Sequence, residues 1–281
     1  MIKSDLAAAE LEFHHASLLK ASGPANRRNM FEQAYAEVFA ARAATMPSDP
    51  EGRTAGTGAR LVRSLVRLLG PHDDLLEVGC GRGYTCLKLA PHVRTVTGMD
   101  VTDAAVEESR ELLRAGGVDN AKVVKGFADD VAGLFPPGSF DAVLSIDVYE
   151  HLHPDDADEH LRQVHAVLRP GGRAIIITPN RATGPHDVTR QIYPEAREPM
   201  GFHLNEVTYE EVGSGLRRVG FGAIKANVPL NPYLPFDRVV SLPIRVAAWV
   251  ERRPAIRDCT SPAGKVYRLL AGQIFVTAYK R

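Results

Sequence analysis

Cysteine is scarce in this chain. Its 281 residues include three, Cys80, Cys86 and Cys259, at no metal-ligand spacing. That excludes a disulfide-stapled secreted framework, and reduced thiols in a cytoplasmic protein are the expectation. An excess of one charge sign is missing too: 34 Lys and Arg balance 34 Asp and Glu. No general electrostatic pull acts toward nucleic acid or an anionic membrane, so neither is expected as a partner. No apolar run is long enough to span a bilayer. The first thirteen residues carry Lys3, Asp5, Glu10 and Glu12 and lack the apolar segment of a signal peptide. Internal repeats and low-complexity tracts are absent as well.

What is present suffices for a folded enzyme-sized body. Hydrophobic residues make up 44%, an ordinary share for a chain with a real core. The length accommodates one large domain, or one domain plus a cap. Residues 7–19, 29–45 and 58–69 show apolar positions at three-to-four spacing and predict helices. A break rich in Pro, Gly, Ser and Thr separates the last two, at 47–58. From Asp74 onward strand and helix signals alternate. Strands are predicted at 74–78, 94–99, 121–125, 140–145 and 173–178, and helices at 84–90, 104–115 and 155–168. Such alternation predicts an α/β fold with a mostly parallel, doubly wound sheet.

Two segments interrupt the rhythm. Residues 179–207 hold Pro185, Pro194 and Pro199 and read as a lid. After a helix at 209–219 and a strand at 221–228, an excursion runs over 229–271, with a short helix at 243–252. A final alternating strand is expected at 273–279. The expected organisation is a helical cap (1–71), a ligand-binding core with the lid (72–228) and a C-terminal excursion plus last strand (229–281). Residues 229–281 hold nine Lys and Arg against three Asp and Glu. That excess is read as a solvated basic face, with a site for an anionic substrate or lipid surface as the lesser alternative.

The richest stretch is Leu75-Leu76-Glu77-Val78-Gly79-Cys80-Gly81-Arg82-Gly83-Tyr84. An apolar strand ends in an acid, and glycines follow at alternate positions before a helix. Glycine tolerates positive φ and has no Cβ, so a ligand can press on bare backbone there. The spacing is not the Gly-x-Gly-x-x-Gly of dinucleotide enzymes, which points to a nucleoside ligand without a pyrophosphate. Asp100 and Val101 close the second strand, where a carboxylate reaches ribose hydroxyls. Phe127, Ala128 and Asp129 follow the third strand. Ile146 ends the fourth, in Phe140-Asp141-Ala142-Val143-Leu144-Ser145-Ile146-Asp147.

With these elements in order, and with Leu168-Arg169-Pro170-Gly171-Gly172 behind them, the chain resembles class I S-adenosylmethionine-dependent methyltransferases, in particular ubiquinone-pathway O-methyltransferases. The resemblance covers about residues 75–221. It implies a Rossmann-like seven-stranded sheet whose last strand is antiparallel. It also implies S-adenosylmethionine as cofactor, held by Glu77, Gly79, Cys80, Gly81, Gly83, Asp100, Val101, Phe127, Ala128, Asp129 and Ile146. Asp129 takes the adenine amine in that reading, although Phe127 stands where many members carry Asp.

Methyl transfer to a hydroxyl needs alignment and a base. Asp147, Glu150, His151 and His153 follow the fourth strand, and His186, Asp187 and His203 lie on the lid. His151, His203 and Glu150 are the catalytic candidates. Asn180 or Arg181 is placed to contact an acceptor, and Tyr35 and Phe39 to cap the cofactor. The expected reaction is methylation of a small molecule, at a hydroxyl oxygen of a sugar or secondary metabolite, with N- or C-methylation as alternatives. Asp147-x-x-Glu150-His151 with a distant His203 is also similar to the ligand set of small-RNA 3′-end ribose methyltransferases. That similarity implies a divalent cation on Asp147, Glu150, His151 and His203 and an RNA ribose as acceptor. No metal is the expectation, with this set as the alternative.

Overall fold

The computed structural model describes residues 3–43, 58–229, 239–257 and 261–281. The break at 47–57, the early part of the excursion and Cys259 lie outside the described residues, as does the Phe39 side chain.

Strand and helix signals resolve into one sheet of eight strands among the described residues, in the order β3-β2-β1-β4-β5-β8-β6-β7. The strands are β1 (Asp74–Val78), β2 (Thr95–Asp100), β3 (Ala121–Lys125), β4 (Phe140–Ile146), β5 (Leu168–Pro179), β6 (Phe221–Pro229), β7 (Val239–Pro243) and β8 (Gln273–Lys280). The helices are α1 (Lys3–Lys20), α2 (Pro24–Ala43), α3 (Ala59–Val66), α4 (Tyr84–Leu89), α5 (Asp103–Ala115) and α6 (Val131–Leu134). They continue as α7 (Pro154–Val167), α8 (Thr189–Ile192), α9 (Tyr209–Arg218), α10 (Ile244–Glu251), α11 (Pro254–Arg257) and α12 (Pro262–Ala271).

Strands β1 to β5 pair in parallel, and β8 runs antiparallel between β5 and β6. The seven expected strands are therefore present, with the last one reversed. An eighth, β7, is added at the edge, antiparallel to β6. Successive side chains leave a strand on opposite faces. Leu76, Val143, Ile176 and Val276 pack under α7, α9 and α10, whereas Leu75, Leu144, Ile175, Ile177 and Phe275 pack under α3, α4 and α5. Burial on both faces explains the near-continuous apolar runs of the central strands.

Local chemistry starts the helices. Thr102 caps α5 by accepting from the Ala105 amide, and Thr208 with Glu211 forms a reciprocal capping box on α9. Ser261 caps α12, with Pro262 in its first turn.

The expected helical cap divides in two. Leu65 of α3 is fully buried beneath the sheet, so α3 packs with the core. The pair α1 and α2 instead packs on the lid, where Ala16, Leu19, Ala34 and Val38 meet Phe202 and Leu204.

A candidate S-adenosylmethionine site at the carboxyl edge of the sheet

The chain order reverses at β1, which lies between β2 and β4. In such sheets the crevice beyond the carboxyl ends of these strands receives the ligand. The glycine turn sits there. Gly79, Gly81 and Gly83 all have positive φ. A Cβ on Gly79 would run into Val148 Cγ2, and one on Gly81 would project into open space. Gly79 therefore lets the turn close on the β4 loop, and Gly81 leaves bare backbone facing the crevice.

Asp100 braces this turn. Its Oδ2 accepts from the Gly81 amide at 2.9 Å and its Oδ1 from the Thr102 amide at 3.1 Å. The Gly79 and Cys80 amides donate to Met99 O at 2.7 and 2.9 Å. Glu77 lies buried beneath the turn and accepts from Cys86 Sγ at 2.9 Å. Burial pushes its carboxyl up to about 7. Val101 and Ile146 are half-buried at the ends of β2 and β4.

The turn after β3 is held from both sides. Arg28 of α2 donates to Asp129 Oδ2 at 3.0 Å and lies 5.4 Å from the Phe127 ring centroid. Asp129 is thus engaged by the cap. From below, buried His160 of α7 hydrogen-bonds Ala128 O at 2.8 Å and Ser145 Oγ at 3.3 Å. Accepting carbonyl and ring fit only if Nδ1 carries the proton.

The catalytic candidates converge across the lid. One ligand atom each of Glu150, His151 and His203 lies within 4.8 Å of the others. His203 Nδ1 donates to Glu206 Oε1 at 2.7 Å, and His151 Nδ1 donates to Phe202 O at 3.0 Å. With Nδ1 as the donor, the neutral tautomer of each ring carries its lone pair on Nε2. Buried Glu150 accepts from Thr178 Oγ1 at 2.9 Å through Oε2, and its Oε1 has no partner among the described residues. Burial, then Asp147, pushes its carboxyl well above the usual range. Asp147 stands apart from that trio. It is the one non-glycine described residue with positive φ, and burial raises it to about 6 against the pull of His203.

Glu206 escaped the sequence reading. Its carboxylate is fully buried and also accepts from the His186 amide at 2.7 Å and His186 Nδ1 at 3.2 Å. Burial opposes its charge, but the hydrogen bonds from His186 and His203 outweigh that and hold it down to about 2. Only the spacing His203-x-x-Glu206 hinted at it. Other candidates have structural partners. His153 caps α7. His186 also contacts Thr183 Oγ1 at 2.9 Å, and Asp187 accepts from the Gly201 amide at 2.7 Å. Asn180 is fully buried and donates to Ala271 O at 3.0 Å, while Arg181 pairs with Glu211. Tyr35 stacks on Phe202 at 4.8 Å and meets the His151 ring edge-on at 5.6 Å.

Comparison with known proteins identifies the family. A family model described as a methyltransferase domain matches residues 75–172. The O-methyltransferase resE of Aspergillus sclerotiorum is 30% identical over 66% of this chain and 67% of its own length. The chain belongs to the class I S-adenosylmethionine-dependent methyltransferases. A probable S-adenosylmethionine-dependent methyltransferase of Mycolicibacterium smegmatis is 33% identical over 53% of this chain, and the match spans about half (51%) of that relative. An S-adenosylmethionine-dependent methyltransferase from Archaeoglobus fulgidus shares the fold, with a TM-score of 0.54, 21% identity and coverage of 79% of this chain and 95% of that one.

S-adenosylmethionine is this methyltransferase's cofactor, and the residues fit it. Gly81 offers backbone with no side chain in the way, and the half-buried Asp100 carboxylate stands beside it at the strand ends.

Proposed function

We propose that this methyltransferase transfers a methyl group to a hydroxyl oxygen of a small molecule, a sugar or secondary metabolite. The observation that carries the reading is the buried carboxylate of Glu206 holding the His203 ring by Nδ1 at 2.7 Å. That arrangement fixes the tautomer and leaves Nε2 as a proton acceptor. His203 takes the hydroxyl proton, Glu206 orients it, and His151 and Glu150 complete the wall around the acceptor. Glu77, the glycine turn, Asp100, Val101, Phe127, Ala128 and Ile146 cradle the cofactor. Bound there, S-adenosylmethionine supplies a methyl group already activated on a sulfonium. The chain's own task is alignment, exclusion of water and removal of one proton. In this reading residues 1–71 supply the cap, 72–228 the core with its lid at about 179–207, and 229–281 part of the acceptor side. The likeness to an O-methyltransferase over two thirds of its length supports oxygen as the acceptor atom.

Incubating the protein and a host extract with methyl-labelled S-adenosylmethionine tests this. Label in low-mass metabolites, lost in His203→Ala, is expected. Label confined to RNA or other polymers overturns the small-molecule reading.

A second reading has its own observation. Glu150 Oε1 is buried without a partner beside His151 and His203, whose Nδ1 atoms are both engaged. Metal-binding imidazoles are commonly oriented this way. The three side chains would then hold a divalent cation that lowers the acceptor hydroxyl's pKa. Equilibrium dialysis with Mn²⁺ alone decides. One retained ion, lost in Glu150→Gln, favours this reading; no retention, with full activity after chelation, removes it.

A further inference from the structure

Helix α12 is built with its apolar side outward. Leu269 is 69% exposed, Val266 56% and Leu270 38%. The buried positions are Gly264 and Ala271. On a helical wheel Pro262, Val266, Leu269 and Leu270 share one stripe, and Gly264, Tyr267 and Ala271 the opposite one. Helix α10 repeats the arrangement. It buries Ile244, Ala247, Ala248 and Glu251 and exposes Val246 and Trp249, the latter by 53%.

The inner sides of both helices already have partners. Tyr267 hydroxyl donates to Glu251 Oε1 at 3.4 Å, and the Tyr209 amide donates to Glu251 Oε2 at 3.0 Å. Asn180 donates to Ala271 O and contacts the Tyr267 hydroxyl. The helices cannot turn over without leaving this buried polar node unsatisfied. Isolated exposed apolar side chains are ordinary on any surface. Here they concentrate: among the described residues, seven of the twelve exposed large apolar side chains fall in β7, α10 and α12. A grouping of that kind marks an interaction surface.

Its charge selects the occupant. Arg245, Arg253, Arg257, Lys265 and Arg268 lie between β7 and β8, and Arg252 there pairs with Glu210 at 3.1 Å. Glu251 is the only acid among the described residues of that stretch, and it is buried. Arg253 lies over the Trp249 ring at 3.7 Å from the centroid. A second copy of the chain would bring like charges together across an isologous contact. Leucine, valine and tryptophan with interleaved arginine and lysine suit a boundary where acyl chains meet anionic headgroups.

We propose that the outer face of α10 and α12 docks on an anionic lipid surface. The docked face adjoins the site: α12 runs into Gly272, whose carbonyl accepts from the Asn180 amide at 3.0 Å, and Gln273 reaches Asp147 at 3.5 Å. Docking therefore sets the lid side of the crevice beside the bilayer. The proposal holds whichever atom of the acceptor is methylated.

Trp249 is the only tryptophan, so its fluorescence reports this face directly. The full chain is titrated with vesicles of phosphatidylcholine alone and of phosphatidylcholine mixed with phosphatidylglycerol. Expected are a blue shift and co-sedimentation with the mixed vesicles, weakened by salt. Val266→Glu with Leu269→Glu should weaken partitioning about tenfold or more, with cofactor affinity and far-UV circular dichroism unchanged. Arg245→Gln with Lys265→Gln should weaken it while leaving the apolar face intact. Absence of shift and sedimentation with anionic vesicles overturns the proposal. So does a dimer in sedimentation velocity that Leu269→Glu dissociates while the protein ignores vesicles, or capture by an acidic protein under the same conditions.

Discussion

His203 donates its Nδ1 proton to the buried carboxylate of Glu206 at 2.7 Å, and Glu206 holds His186 from the other side. On the proposed reading Glu206 is a positioning residue. Glu206→Gln keeps the shape but removes the charge that orients and supports the ring. We expect kcat to fall about tenfold to a hundredfold, within what general-base catalysis contributes. Cofactor affinity by calorimetry should stay unchanged. Loss of affinity equal to the loss of kcat would mean that Glu206 only holds the fold.

Asp100 has one task in this structure and a second on the proposed reading. It braces Gly81 through Oδ2 and, as proposed, meets the ribose. Asp100→Ala should weaken S-adenosylmethionine binding by about 1.5–3 kcal/mol through lost hydrogen bonds. Calorimetric titration checks this, and unchanged affinity would remove Asp100 from the cofactor site.

Gly79 and Gly81 make a contrasting pair. Gly81→Ala meets only the left-handed backbone penalty of about 1 kcal/mol, because a Cβ there touches nothing. Its main effect should be on cofactor affinity. Gly79→Ala adds a collision with Val148 Cγ2 and should cost about 2–4 kcal/mol of stability. Urea unfolding of both variants separates the two effects, and equal destabilisation would contradict the geometry.

Glu77 should leave a mark on the pH dependence of stability. Its carboxyl is raised from 4.5 to about 7, chiefly by burial. Between those values the unfolded chain loses the proton while the folded one keeps it. Stability of the cofactor-free protein should therefore fall as pH rises from about 4.5 to 7, by roughly 3 kcal/mol, and level off above. In Glu77→Gln the slope should shrink by that amount, leaving what the raised carboxyls of Asp147 and Glu150 contribute. Parallel urea curves for both proteins across this range would refute the assignment.

Much of the core was legible in the sequence. The strand at 74–78, the glycine turn and the acid at Asp100 lie where their local pattern placed them. Positive φ at three alternating glycines and apolar runs bounded by turns depend on neighbours in the chain. The candidates His151, His203 and Glu150 follow from their places after the fourth strand and on the lid, and the lid brings them together. Helix α12 and strand β7 were missed, because short apolar runs between prolines fit helix, strand or loop alike. The burial of Asn180 and its bond to the Ala271 carbonyl are likewise invisible in one dimension.

Fold class, cofactor turn and family are thus properties of local pattern, set by backbone preference and side-chain period. Partner choice is not. Glu206 becomes a bridge only when the lid folds His186 and His203 onto one carboxylate. Asp129 turns to Arg28, about a hundred residues away, because α2 crosses the turn after β3. An amphipathic stripe reads the same whether it faces core or solvent. In α12 the buried Glu251, Tyr267 and Asn180 node claims the small-residue side, and the apolar stripe is left outside.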